Sequence, residues 1–328
     1  MGLGKEVVNA GVMRGAESPI ERLVAVDWSG DKGPQQRKKI WAGVWTRDAS
    51  NARSKGQVDG GKVRLEDGRS REELTDWLIG LARETPRMVV SIDCCFSYPA
   101  WFLAEHGCAT VFDFWRHVAT GHGERWLCDV TEARDARFWG KPHKRPEGFS
   151  GAGYPTMMRR TDMENKVEQA LEGGDAVRAA LMKGIQPKSP FQIGGSGSVG
   201  TGSLRAMQWL LKLWEAGFRV WPFEAAALEG DEARPLLVEM YTRLLTGPVA
   251  KSNGVARREY LRRRRKEDAE LYAGLSRAVV AKAEGSEDGF DALVCCLEMV
   301  RWRGEFAGLG ETQDAGLKLE GITWRPGV

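Results

Sequence analysis

Apolar residues fall in short runs, and the character of each run predicts an element. Leu23 to Val26 is wholly apolar and delivers Asp27 into a Trp-Ser-Gly turn. After a polar connection a second run, Ile40 to Trp45, follows, which predicts a β-hairpin. KVRLE, Lys62 to Glu66, alternates as a third strand would. Ser70 with Glu73 three residues on forms a capping box, and Leu74, Leu78 and Leu81 give the helix it opens an apolar face to about Arg83. Pro86 ends that helix. MVVSIDCCF, Met88 to Phe96, is a β-branched, apolar run that predicts a fourth strand, and SYPAWFLAEHG leaves it through a proline turn into a helix. FRVWPFE and PLLVEMY, Pro235 to Tyr241, predict two further strands. The last strong element is Ser286 to Trp302, capped by Ser286, with Phe290, Leu293, Val294, Leu297 and Val300 on one helical face and a polar back.

Between Thr110 and Gly200 the pattern is harder to read. It holds aromatic patches, a basic loop from Lys141 to Gly148, a polar helix near Asp162 to Leu171 and a glycine-rich loop, QIGGSGSVGTGS, feeding a helix from about Ser203 to Glu215. That loop lacks the Gly-Lys-Ser/Thr ending of a Walker loop, which argues against nucleotide binding through it and for a connector or a loop beside a phosphodiester. The expected organisation is a loose arm over 1–20, one α/β domain over 21–305 with an insertion at about 105–200, and a tail over 306–328.

Composition narrows this only slightly. With 42% hydrophobic and 28% charged residues the chain reads as a globular protein, without the roughly 18 consecutive apolar residues of a membrane span. No membrane partner and a cytoplasmic location are expected. The six cysteines form no C-x-x-C pattern and read as small buried hydrophobes. A net charge of +3 does not call for a polyanion, but local charge does better. Lys251, Arg257, Arg258, Arg262, Arg263, Arg264 and Arg265 gather positive charge in one segment. They suit either phosphate contacts or a solvated helix face paired with Glu267, Asp268 and Glu270.

The acids carry the candidate chemistry. Asp27 and Asp93 each follow an apolar strand, and parallel strands ending so would set both carboxylates at one sheet edge. Asp288 and Asp291 stand three apart at the head of the last helix, where the macrodipole favours acids even without a function. Asp27 alone reads equally as the acceptor of an Asx-turn. Glu239 near the end of its strand is a further candidate, although it could equally be a fold feature.

AVDWSG, SIDCCFSYP, VEMYTRLLTG and DGFDALVCCL together resemble the DUF429 family of predicted ribonuclease H-like nucleases, and DGFDAL resembles the Asp-x-x-Asp-Ala helix of RuvC-type resolvases. The resemblance spans most of Arg22 to Trp302 but is weak in the middle. It departs from the family pattern at Trp-Ser-Gly after Asp27 and at Cys-Cys-Phe after Asp93. It implies a ribonuclease H-like mixed sheet flanked by helices and phosphodiester hydrolysis with two Mg²⁺ or Mn²⁺ ions. Asp27 would bridge the ions, Asp93 would hold one, Asp288 or Asp291 would complete the other, and Glu239 would support them. Nucleic acid is the implied partner. The alternatives are a non-catalytic nucleic-acid-binding module of the same fold and, ranked last for want of a second Asp-Gly-x-Thr/Ser loop, an actin-like phosphotransferase.

Overall fold

A computed structural model describes residues 18–48, 58, 60–128, 135–141, 143–170, 185–195 and 197–328. Most of the expected amino-terminal arm, residues 49–57 and 59, Leu171 and parts of the expected insertion lie outside the described residues.

The apolar runs form a seven-stranded mixed sheet: β1 (Arg22–Asp27), β2 (Trp41–Arg47), β3 (Gly61–Glu66), β4 (Met88–Ile92), β5 (Arg219–Trp221), β6 (Leu236–Met240) and β7 (Thr323–Trp324), in the order β3-β2-β1-β4-β6-β5, with β7 also on β6. β1 pairs antiparallel with β2 and parallel with β4, so its chain sits centrally and is buried along its length except at Asp27. The segment expected as a tail supplies β7, which pairs parallel with the end of β6.

Strand alternation divides the core in two. Val24, Val26, Val90, Ile92 and Leu237 face one side. They pack against α1 (Arg71–Glu84), α2 (Ala100–Glu105), α3 (Val111–His117) and the later α5 (Gly200–Glu215), with Phe138 and Phe191 among them. Leu23, Ala25, Val89, Val238 and Met240 face the other side, which is covered by α8 (Glu287–Arg301) and, beyond it, α6 (Gly254–Glu267) and α7 (Arg277–Gly285). Between β4 and β5, residues of the expected insertion also form α4 (Arg160–Ala170). No helix among the described residues is long and apolar enough to cross a membrane.

α1 carries the capping box expected at Ser70 and Glu73. α8 is capped at Ser286, whose hydroxyl accepts the Gly289 amide at 3.0 Å. It has no polar back of the kind its spacing suggested. From Gly289 to Leu297 every residue is buried, because α6 and α7 close over the side that would otherwise meet water. The helix lies tight against the hairpin, and Gly43 makes this possible. A Cβ at Gly43 would stand 2.3 Å from the Ala292 carbonyl oxygen.

The glycine-rich loop is used for close packing as well. The backbone at Gly202 approaches Gly30 so closely that a Cβ on Gly30 would meet the Gly202 nitrogen at 2.7 Å, and the Trp28 indole donates to the Gly202 carbonyl at 3.1 Å. Helix α5 starts within that loop, at Gly200 rather than at Ser203.

Gly43→Ala should destabilise the protein by about 1–3 kcal/mol, since backbone and not a yielding side chain opposes the added methyl. Denaturant unfolding checks this, with Gly80→Ala, where a Cβ meets nothing within 4 Å, as the control expected to leave stability unchanged or raised.

Candidate functional site: an acidic cluster around a lysine

Asp27 ends β1, and Asp93 follows β4 directly. Val26 and Ile92 are partners in the parallel ladder, which the Asp93 amide extends by donating to the Val26 carbonyl at 3.0 Å. The two aspartates are therefore neighbours at one sheet edge. Alternation turns both toward the α8 face, since Asp27 is in phase with Leu23 and Ala25, and Asp93 with Val89. The strand expected to reach Phe96 stops at Ile92. The chain then turns away, with the Cys95 amide donating to Ser203 Oγ at 2.9 Å and the Phe96 amide to Glu239 Oε2 at 2.7 Å.

The amino-terminal end of α8 brings Asp288 and Asp291 to this edge. Asp291 is completely buried, whereas Asp27, Asp93 and Asp288 keep partial access to solvent. Asp291 Oδ2 accepts a charged hydrogen bond from Lys251 Nζ, and its Oδ1 has no hydrogen-bond partner. Lys251 is held in turn by its backbone. Its carbonyl accepts from Arg257 Nη1, while Arg257 Nη2 donates to the Glu284 carbonyl at 2.7 Å near the end of α7. Asn253, two residues on, caps α6 through the Val255 amide at 2.8 Å. The loop that presents the lysine is thus tied to the helices on both sides of it.

Electrostatics bind these groups into one unit. Burial, then the charges of Asp291, Asp93 and Asp288, push the Asp27 carboxyl well above its ordinary range. Desolvation raises Asp93 to about 7, with Lys251 opposing and Asp291 adding to the rise. Burial and the neighbouring Glu287 and Asp291 raise Asp288 to about 6, against the pull of Lys251 and Lys39. Asp291 is raised by burial despite the ammonium beside it. Without a further cation these carboxyls can shed their protons near neutral pH only at a cost in stability.

The donor chemistry suits a hard divalent cation, because carboxylate oxygens are its preferred ligands and Asp291 Oδ1 is a buried acceptor with nothing to accept. Among the described residues, however, no group of three or more His, Cys, Asp or Glu side chains is arranged to hold a metal ion. The four acids share a surrounding in which Lys251 already stands as a counter-ion.

Glu239 does not join this cluster. It pairs with Ile92 in the β4–β6 ladder and is one residue out of phase with Asp93, so its side chain leaves by the opposite face of the sheet. There Arg159, fully buried, donates to both of its carboxylate oxygens, and the Thr323 hydroxyl donates to Oε1 at 2.7 Å. Glu239 orders the loop after Asp93 and anchors β7. Nothing in the sequence pairs Arg159 with Glu239, because the partners come from α4's approach and from a strand.

The basic segment also divides. Arg257 is buried on backbone carbonyls, and Arg264 is paired with Glu298 at 2.7 Å and Asp268 at 3.3 Å. Lys251 lies among the acids rather than on a phosphate-facing surface. Arg258, Arg262, Arg263 and Arg265 are exposed on α6, with Arg263 near Glu267. The six cysteines are free, and all but Cys128 are buried.

No family model, no curated protein and no solved structure matches this chain.

Two outcomes follow from the placement of these charges. For a carboxyl raised on folding, the unfolded chain loses its proton first as pH rises, so the folded state loses stability from about pH 4 upward through the raised value. Asp27→Asn, which deletes one of the crowded charges at constant shape, should therefore be more stable than the parent at pH 8 without divalent ions, by about 1 kcal/mol or more, and the gain should vanish toward pH 4. Thermal melts across that range measure it. Glu239→Gln should instead cost about 3–5 kcal/mol, because it removes the closer of the two carboxylates paired with the buried Arg159 and leaves only Asp162, at 3.6 Å. Urea unfolding separates these opposite signs.

Proposed function

We propose that this protein is a metal-dependent nuclease with a ribonuclease H-like domain, in which Asp27, Asp93, Asp288 and Asp291 hold divalent cations at the mouth of the sheet. The observation that carries the reading is the meeting of Asp27 and Asp93, from neighbouring parallel strands, with the amino-terminal end of α8. The order of elements supports it too. A hairpin opened by an aspartate-bearing strand, a third strand, a helix, a fourth strand followed by an acid and a late Asp-x-x-Asp-Ala helix is the order that the resemblance to the DUF429 and RuvC-type proteins implies.

When bound, Mg²⁺ or Mn²⁺ would supply an activated water and neutralise charge developing on a phosphodiester. The chain's own part is to fix the ligands before substrate arrives. Two carboxylates are set by ladder register and a third by a helix buried on all sides, so little reorganisation remains when charge develops. Desolvation at Asp291 strengthens every interaction with a cation near it. On the outer surface Arg258, Arg262 and Arg265 recur at helical spacing on α6, a stripe suited to phosphates along a strand.

A second reading has a specific observation behind it. Because Lys251 already neutralises Asp291, the site could serve a domain that binds nucleic acid without cutting it. Incubating the full chain with Mn²⁺ and labelled single-stranded, duplex and branched DNA and RNA separates the two. The nuclease reading expects cleavage of at least one substrate, a fall of at least about a hundredfold in Asp93→Asn with unchanged circular dichroism, and weaker, less salt-sensitive binding in Arg258→Glu/Arg262→Glu. Salt-sensitive binding that survives Asp93→Asn, with no cleavage in Mg²⁺ or Mn²⁺, selects the binding module.

A further inference from the structure

We infer that a single strand of nucleic acid reaches the acidic edge over a second surface, where Arg145, Lys166 and Lys188 hold its phosphates and the glycine-rich loop guides it toward Asp27 and Asp93. The inference rests on the nucleic-acid reading of the site and supplies the form of the ligand and its route.

The basic loop at Lys141 to Gly148 is a place where cations gather without acids. Arg145 lies over the Trp139 ring at 4.4 Å and over the Tyr154 ring at 4.8 Å, and Lys166, on α4, lies 4.0 Å from the Tyr154 centroid. Burial, then the charges of Arg145 and Lys188, push the Lys166 ammonium below its ordinary range, so the three cations stand close enough to repel one another. Among the described residues no carboxylate lies within ion-pair distance of any of them. Asp162, which opposes the shift at Lys166, is buried beside Arg159 at 3.6 Å. Other crowded cations of this molecule are answered within the chain, Arg264 by Glu298 and Arg137 by Asp135. Aromatic rings keep Arg145 in place without cancelling its charge, which leaves its N–H fork for an external phosphate and the outer side of its guanidinium for a base.

The glycine-rich loop joins this surface to the acidic edge. The Ile193 amide donates to the Trp139 carbonyl at 2.7 Å, and a Cβ on Gly140 would meet the Gly194 nitrogen at 2.2 Å. Lys188 runs beside Gly197, where its Cε would lie 3.6 Å from an added Cβ. Gly195 and Gly197 are exposed with φ of 88° and 71°, so bare backbone faces outward there. The far end of the loop meets the turn after Asp27 at Gly30 and the loop after Asp93 at Cys95. Cations, bare backbone and carboxylates thus follow one another along a bent path. An extended strand can track such a path, and a stiff duplex cannot.

The test is fluorescence anisotropy of a labelled oligothymidylate of about 20 nucleotides, titrated with the full chain in EDTA so that binding is read apart from cutting. Arg145→Glu/Lys188→Glu should weaken binding at least about tenfold and flatten the dependence of log affinity on log salt by about 1 or more. Arg83→Glu/Arg277→Glu, an equal charge change at exposed positions elsewhere, should alter affinity less than about twofold, and the parent should bind the strand at least about fivefold more tightly than a duplex of equal length. Unchanged affinity in the folded Arg145→Glu/Lys188→Glu, an equal loss in the control, or equal affinity for duplex would overturn the inference. So would displacement of the strand by an equal concentration of inorganic triphosphate, which would mark a small-polyphosphate site, or a parent that binds no strand. If the double variant does not fold, Lys188→Glu alone decides, with a loss of at least about threefold expected and none overturning the inference. Weakened binding in these variants with no cleavage by the parent in Mn²⁺ would retire the nuclease reading and leave this inference standing. Cleavage by the parent with binding unmoved by them would do the reverse.

Discussion

Crowded negative charge at the rim of a sheet is the constraint around which this molecule is arranged. Carboxylates that share a desolvated corner repel one another, and a fold that gathers them must answer with a cation, with protons or with strain. Here the answer within the chain is Lys251, which is paired with Asp291. Asn253 and Arg257 fix the loop on which it rides, and α6 and α7 seal the outer side of α8 so that Asp291 cannot escape to water.

The same sheet handles its buried charges in two opposite ways, and a single step of register separates them. On one face Asp27 and Asp93 crowd against other acids, with Lys251 as the cation they share. On the other, Glu239 is fully matched by Arg159, Thr323 and the Phe96 amide. A matched pair of this kind holds parts together, while an unmatched cluster keeps free energy available for a ligand. The contrast explains why five acids that look alike in the chain do not share a role, and why one of them braces the loop on which another stands.

Much of the scaffold was legible in the residues because local rules agreed with the fold. The β1–β2 hairpin, the Ser70 capping box, the strand before Asp93 and the helix after Ser286 each announce themselves by periodicity and caps. The adjacency of Asp27 and Asp93 followed from one premise, that their strands run parallel. What could not be read were facts of register and of partnership. Glu239 sits at a strand end just as Asp93 follows one, and only the ladder shows that it faces away. Arg257 and Lys251 belong to a run of basic residues, and no spacing rule separates those that turn inward from those that meet water. The polar back expected of α8 failed because its other side is covered by helices distant in pattern. The aromatic middle was opaque for a related reason, since Phe102, Phe114, Phe138 and Phe191 pack on one another rather than along one helical stripe.

The closeness of α8 to the hairpin at Gly43 has a consequence for how the molecule comes together. The strands carrying Asp27 and Asp93 can pair while their ends still face water, where neighbouring carboxylates cost little. Only when the late helix seats itself against the bare backbone of Gly43 are those ends dried, and the same event brings the last acid onto the amine that neutralises it, Lys251. Seating that helix is thus the step at which the electrostatic penalty of the whole design falls due, which makes it the part of assembly most exposed to the ionic composition of the surroundings.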